Sequence, residues 1–427
     1  MPAQPQLLAG YTILDLSQYL SGPLCSTTLA ALGADVIKVE PPHGDGNRQL
    51  PPFMENGDAE EPQHNRSLVF LKRNQGKKSI VLDLKSEGGQ QVLHRLIAKS
   101  DILLHNFREG VAERVGADYA SATATNKDLI YCSITGQLGT IGEVPSDVPP
   151  QPAGVIDVVG QALSGFLGST GPKGGDPVRS RAPIADQTAG LYATISILAA
   201  VIERDVTNNG SGSRQLRVPM VESLAALLWD ESLDAFQQQG MENRMGNISG
   251  RLCPYNTYRT RDGAFVTIAA ASRGEWQRLN EAVQLPELNR PEWQEAAQRS
   301  ASRETIDTIL ADWAALHDRD DLVRALRAHG VTVGAVLEID DMLSQDAYRE
   351  SVLYPIQDDN FGVLHAPRFP IEIDGHRPEG QTGKVPRLGE DSLEILRDTA
   401  DLDDEEIDAL LSSGAVSSAQ PPVRAER

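Results

Sequence analysis

The clearest candidate for chemistry in this sequence is an aspartate. Asp186 stands directly before a long apolar run in RAPIADQTAGLYATISILAAVIERD, where the pattern predicts a helix over 187–204. An aspartate there is a favoured N-cap, its carboxylate accepting an N–H from the first helical turn. The same place keeps a carboxylate ionised through the helix dipole and lets it attack an acyl group. Position alone leaves both roles open. The run KRNQGKK gathers Lys72, Arg73, Lys77 and Lys78, which read either as a solvated turn or as a phosphate-binding edge. HGDGNR (His43–Arg48) follows a predicted strand, where an open parallel sheet takes ligands, and carries the same two readings.

Other chemistries are missing from the sequence. There is no GxSxG and no HExxH, and Gly76-Lys77-Lys78-Ser79 lacks the earlier glycine of a phosphate loop. The eight histidines never pair four apart, and Cys25, Cys132 and Cys253 form no CxxC, so no metal site is expected and the thiols read as reduced. Thirty-nine basic against 60 acidic residues give a net charge of −21, which repels phosphate backbones and argues against nucleic acid as a partner. No signal peptide is read at the start, and the most apolar stretch, Leu191–Ile202, is too short to span a bilayer. A cytoplasmic protein with no membrane contact is expected.

The elements that position these residues alternate in type. Strands are predicted at Thr12–Leu16, Asp35–Glu40, Ser79–Leu84, Asp101–His105 and Leu129–Ser133. A helix starts at Gly22-Pro23, and another spans 86–99. This order implies an α/β fold with a parallel sheet. LSQYLSGP follows the first strand, so no GxGxxG dinucleotide fingerprint is present. A loop with Pro145, Pro149, Pro150 and Pro152 and the turn NNGSGS interrupt the pattern. From about Arg251 a hairpin and polar helices form a different, α+β region. The segments are therefore 1–225, 226–340 and 341–427, with a tail from about 412 expected to be disordered.

Eight segments, in order from about residue 10 to 412, resemble the family III CoA-transferases (CaiB/BaiF-like), which include formyl-CoA and carnitine CoA-transferases and a branch of 2-methylacyl-CoA racemases. They are LDLSQYLSGP, LGADVIKVEPPHGD, NQGKKSIVLDLKS, HNFREG, GQALSGFLGSTG, IADQTAGLYA, PRFPI and PRLGEDSLEIL. The resemblance implies a Rossmann-like large domain built from both chain ends, a smaller inserted domain and an interlocked homodimer. It implies that Asp186 is the nucleophile, and that Leu82, Asp83, Lys85, Asn106, Phe107 and Arg114 contact coenzyme A. Asp157 falls where some transferases carry a second carboxylate near the thioester. Substrates would be an acyl-CoA and a free carboxylic acid, with no tightly bound cofactor.

Three departures bear on the branch. Ile156 stands where racemase members have a histidine, and isoleucine carries no proton. GNISG (Gly246–Gly250) is a reduced version of the glycine loop of oxalate-type members. LGED, with Asp391, replaces the more usual LGEH. The implied reaction passes through an aspartyl anhydride and then an aspartyl–CoA thioester, which conserve the energy of the thioester bond. A racemase using Asp186 as acid/base is disfavoured by Ile156, and a non-enzymatic CoA-binding homologue by the presence of Asp186.

Overall fold

The computed structural model describes residues 6–55, 61–139, 154–207, 210–230, 233–358, 362–377 and 384–419. Their strands are β1 (Thr12–Asp15), β2 (Asp35–Glu40), β3 (Lys77–Leu82), β4 (Ile102–His105), β5 (Ile130–Thr135), β6 (Arg214–Pro219), β7 (Tyr255–Arg259), β8 (Phe265–Ala269), β9 (Thr332–Ala335), β10 (Leu353–Asp358), β11 (Gly362–Pro367) and β12 (Val416–Ser417). The chain divides into two units. The larger takes Met1–Ser164, Arg181–Leu227 and Glu350–Arg427; the smaller takes Gly165–Ser180 and Leu228–Arg349. Against the sequence-based segments, the second boundary lies later in the chain and a short piece before Asp186 joins the smaller unit.

The larger unit is mixed α/β, built on a seven-stranded sheet in the order β12-β3-β2-β1-β4-β5-β6. Every pairing is parallel except that of β12, which runs antiparallel to β3. Short, almost wholly buried strands such as ILLH and IYCSIT suit a sheet covered on both faces. Strand order reverses at β1, which puts the topological switch point between β1 and β4, and it is beyond the carboxyl ends of such strands that open α/β sheets take ligands.

One face is covered by the Glu87–Ala98 helix. Ser86 caps it by accepting the Gly89 N–H at 3.0 Å, and the 3.6-residue period turns Val92, Leu93, Leu96 and Ile97 inward. Ile395, Leu396, Ile407 and Val416 from the far end of the chain close this core. The tail expectation is therefore corrected for 412–419: Val416 and Ser417 pair with Leu82 and Val81, because β3 otherwise presents an open edge. Residues 420–427, the loop prolines Pro145, Pro149, Pro150 and Pro152, and Asn208 and Asn209 of NNGSGS lie outside the described residues.

The other face carries the 19-residue Ile184–Ile202 helix, which packs on the Ser21–Ala31 helix and on β5 and β6. Followed through its last, wider turn to Thr207, it is long and apolar enough to cross a membrane, and half of that apolar window is buried within the unit. The expectation that this stretch is too short by length does not hold, because the helix starts earlier and ends later than its apolar run. Leu191, Ile195 and Ile202 form an exposed apolar stripe along it.

The smaller unit has its own core. Antiparallel β7–β8–β9 packs with the helices Arg273–Val283, Arg303–Ala314 and Arg319–Ala328 around Ile268, Trp276, Trp293, Leu310 and Leu326. Arg299 is fully buried there, donating to the carbonyls of Cys253 and Trp293 at 2.9 Å each. All three cysteines are free and buried.

Candidate active site

Asp186 is not an N-cap. The helix begins at Ile184, after Pro183, so Asp186 is its third residue, and Pro183 supplies no side-chain cap. The missing acceptor comes from Asp157, whose Oδ1 takes the Ala185 N–H at 2.9 Å. Gln161, one turn along the Asp157–Leu163 helix and fully buried, donates to Asp157 Oδ2 at 2.6 Å. Gly160 permits this approach, since a Cβ there would lie 2.8 Å from that of Ala185. Sequence inspection missed Gln161, whose i,i+4 spacing from Asp157 was the available signal.

On its other side the helix meets the start of the Ser21–Ala31 helix. Gly190, four residues after Asp186, makes that contact possible, because a Cβ there would sit 2.6 Å from the Ser21 carbonyl oxygen. Asp186 thus lies with Asp157 on one side and the buried Ser21 on the other. Burial, followed by the charge of Asp157, pushes the Asp186 carboxyl up to about 6, against the pull of Arg73 and the Ser21 hydroxyl. Asn106 connects to the same place. Its Oδ1 accepts the Gln18 N–H at 2.9 Å, and its Nδ2 donates to the Gln18 carbonyl at 2.7 Å and to Ser21 Oγ at 3.4 Å.

The loop from Ser17 to Ser21 rests on buried charges. Asp15 Oδ2 accepts from Lys77 at 3.1 Å and from the Ser26 hydroxyl at 2.6 Å, and Oδ1 accepts the Ser17 N–H at 2.9 Å. Lys38 donates to the Ser17 carbonyl at 2.8 Å and pairs with Asp45 at 2.9 Å. Arg48 grips Glu40 with two bonds of 2.7 Å. Burial opposes the Asp15 charge most strongly, yet Lys77, Lys38 and the hydroxyls of Ser17 and Ser26 hold that carboxyl down to about 2. Burial lowers the Lys77 ammonium to about 8, with Asp15 resisting.

These contacts correct two readings. KRNQGKK is not one phosphate-binding edge: Lys77 is buried, Lys78 pairs with Asp35 and Glu394, and Lys72 is exposed. In HGDGNR, Asp45, Asn47 and Arg48 are buried and bonded to protein groups. Asp391, unexplained in the sequence, accepts the Ser79 N–H at 2.8 Å and returns its own N–H to the Ser79 carbonyl.

The residues matched to coenzyme contacts gather nearby. Leu82 ends β3 and is fully buried, Asp83 Oδ1 accepts the Lys85 N–H at 3.0 Å, and Lys85 and Arg114 are exposed. Gln90 ties the two loops, its Nε2 donating to the carbonyls of Leu84 at 2.9 Å and Arg114 at 3.4 Å. Phe107 packs into the same apolar cluster as Leu84 and stacks on His105 with ring centres 5.1 Å apart. His105 Nδ1 accepts the Phe107 N–H, so Nε2 carries the proton toward Tyr131 Oη at 2.7 Å. Burial lowers His105 to about 4, which keeps it neutral and structural. Asn106 and Phe107, adjacent in sequence, join this cluster to the Ser21 side of Asp186. Ile156 is 61% exposed and offers no base beside Asp157.

The model of CoA-transferase family III matches residues 8–392. The chain is 34% identical over 315 residues to the succinyl-CoA:mesaconate CoA-transferase of Haloarcula hispanica, covering 74% of this chain and 76% of that protein. It is 29% identical over 404 residues to a succinate–glutarate CoA-transferase of Agrobacterium fabrum, covering 93% and 96%. Among solved structures, a CaiB/BaiF family protein from Brucella suis superposes with a TM-score of 0.77 at 28% identity, covering 92% of this chain and 99% of that one.

Proposed function

The chain belongs to CoA-transferase family III and is an enzyme that transfers CoA between acids; we propose that it does so through covalent attack by Asp186. The observation that carries this reading is the state of that carboxylate, at the start of a long helix, with Asp157 on one side, Ser21 on the other and a carboxyl raised to about 6. Near neutral pH it is mostly ionised, yet less stabilised than a solvated carboxylate and so more ready to attack.

Asp186 attacks the thioester carbonyl and expels the CoA thiolate, leaving an aspartyl–acyl anhydride. The thiolate then attacks the aspartyl carbonyl and releases the donor as a carboxylate, leaving an aspartyl–CoA thioester. The acceptor carboxylate attacks that thioester, re-forming an anhydride and free thiolate. Attack of the thiolate on the acceptor's carbonyl delivers the new acyl-CoA and restores Asp186. Each leaving group is a carboxylate or the same thiolate, so every step is close to balanced. Coenzyme A enters as substrate along the edge formed by Leu82–Lys85, Phe107 and Arg114. The relatives' acids support a dicarboxylic substrate class.

A second copy covering the stripe of Leu191, Ile195 and Ile202 would bury the apolar surface left open, which supports a homodimer. We place the enzyme in the cytoplasm, where its free, buried thiols and CoA substrates fit. Incubation with succinyl-CoA and then hydroxylamine, followed by peptide mass spectrometry, tests the mechanism. The hydroxamate is expected on Asp186. Turnover with no modification there, or modification elsewhere, defeats it.

A further inference from the structure

Among the basic residues of KRNQGKK, Arg73 has a different setting from the others. It is half-buried, and its carbonyl oxygen accepts the Thr27 hydroxyl at 2.5 Å, fastening it to the Ser21–Ala31 helix. Its Nη1 donates to Asn47 Oδ1 at 3.3 Å, and the Asn47 amide in turn holds the Tyr19 carbonyl. Tyr19 is a bulky residue held at φ +66°, in a backbone region such side chains avoid, two positions before Ser21. Arg73 is therefore braced along the loop that meets Asp186, and the two side chains lie within electrostatic reach of each other. Asp45 also acts on Arg73 but is already paired with Lys38. Nε and Nη2, the edge of the guanidinium that takes a carboxylate through two parallel bonds, donate to no other group among the described residues.

We infer that Arg73 binds the remote carboxylate of a dicarboxylic substrate, free or as its CoA thioester, and so sets a preference for dicarboxylic over monocarboxylic acids. The inference rests on the proposed CoA transfer at Asp186. The donor thioester brings its remote carboxylate to the charges of Asp186 and Asp157, and the acceptor dianion, arriving when Asp186 is a neutral thioester, still meets that of Asp157. A fixed cation offsets that repulsion only for an acid with a second anionic group. The pairing alternates through the reaction. In the resting enzyme Arg73 faces the Asp186 charge. Once Asp186 is acylated that charge is gone, and the substrate's remote carboxylate becomes the partner of Arg73.

The test uses the full-length enzyme and Arg73→Gln, with one donor thioester and matched acceptors, succinate against butyrate and glutarate against valerate. The ratio of kcat/KM for the diacid to that for the monoacid is expected to fall about 10–100-fold in Arg73→Gln, with Arg73→Lys in between. An equal fall for both acids would mean that Arg73 acts only on Asp186 and would overturn the inference, as would an unchanged ratio. Should the wild type transfer CoA to neither acid, the transfer reading fails, and Arg73 is judged by binding alone. Succinate should then raise the Tm of the wild type and not of Arg73→Gln, while butyrate raises neither. Equal shifts in the two proteins would overturn it.

Discussion

The carboxyl edge of the sheet holds two sets of charges that use the same residue types to opposite ends. Around Asp15, each carboxylate is fully buried and paired: Asp15 with Lys77, Asp45 with Lys38, Glu40 with Arg48. Around Asp186, two carboxylates and one arginine share a half-buried place, and neither carboxylate forms an ion pair with a cation among the described residues. The first arrangement drives its aspartate down to about 2, the second raises its aspartate to about 6. Depth of burial alone does not decide whether a charge serves the fold or the chemistry. What separates them is that each buried carboxylate around Asp15 has a cation of its own, whereas Asp186 stands beside a like charge.

The largest effect separating the two sets is expected from Asp186→Asn. Transfer should drop at least about 10³-fold, since an amide cannot form the anhydride. The Tm should not fall, because Asp157 provides the capping bond at Ala185, and near neutral pH it should rise as a half-buried charge is removed. Steady-state rates and thermal unfolding on one preparation check this. A variant that retains activity would make Asp186 a structural residue like Asp15.

Asp15→Asn should do the reverse. Removing one partner of a buried pair strands Lys77 and costs roughly 3–5 kcal/mol of stability, measurable by urea unfolding. The double change Asp15→Leu with Lys77→Met should recover much of that loss. Equal stability of the single variant and the wild type would show that the network is not held by charge.

The two sets also respond to pH with opposite sign. Asp15 titrates lower in the folded state than unfolded, so its contribution is present above about pH 4 and lost as pH falls toward about 2. Asp186 titrates higher when folded, so its contribution is complete below about pH 4 and disappears as pH rises through about 6, a difference of roughly 2–3 kcal/mol. Transfer needs the ionised form, so kcat/KM should fall on the acid side with an apparent pKa of about 6. Asp157→Asn should move that limb to lower pH by removing the like charge. A limb that stays in place would mean Asp157 acts only as the cap.

The smallest effect is expected at Arg114, which is exposed and whose carbonyl accepts from Gln90. Arg114→Ala should raise KM for acyl-CoA several-fold and leave kcat nearly unchanged, as loss of uniform binding does. An unchanged KM would put Arg114 outside the coenzyme edge.

The α/β alternation and the parallel strands were legible because they depend on local periodicity and on short runs of residues. What could not be read depended on partners far away in sequence. The helix start was placed too late because its cap is Asp157 and not a residue beside it. KRNQGKK looked like one patch because nothing local shows that Lys77 turns in to Asp15, Lys78 to Asp35, and Arg73 toward Asp186. The tail looked unstructured because two residues of strand carry almost no pattern, and only the open edge of β3 gives them a place.

That last pairing bears on how the protein is made. β3 and the loop carrying Asp83 and Lys85 leave the ribosome early, but the strand that seals their edge does not follow until residues 416–417. At ordinary elongation rates of ~5–20 residues per second, the gap lasts on the order of tens of seconds. Through that interval the nascent chain carries a bare β edge beside the loop of Asp83 and Lys85. A premature stop before Val416 would make the exposure permanent, leaving most of the catalytic unit synthesised but open to pairing with other chains.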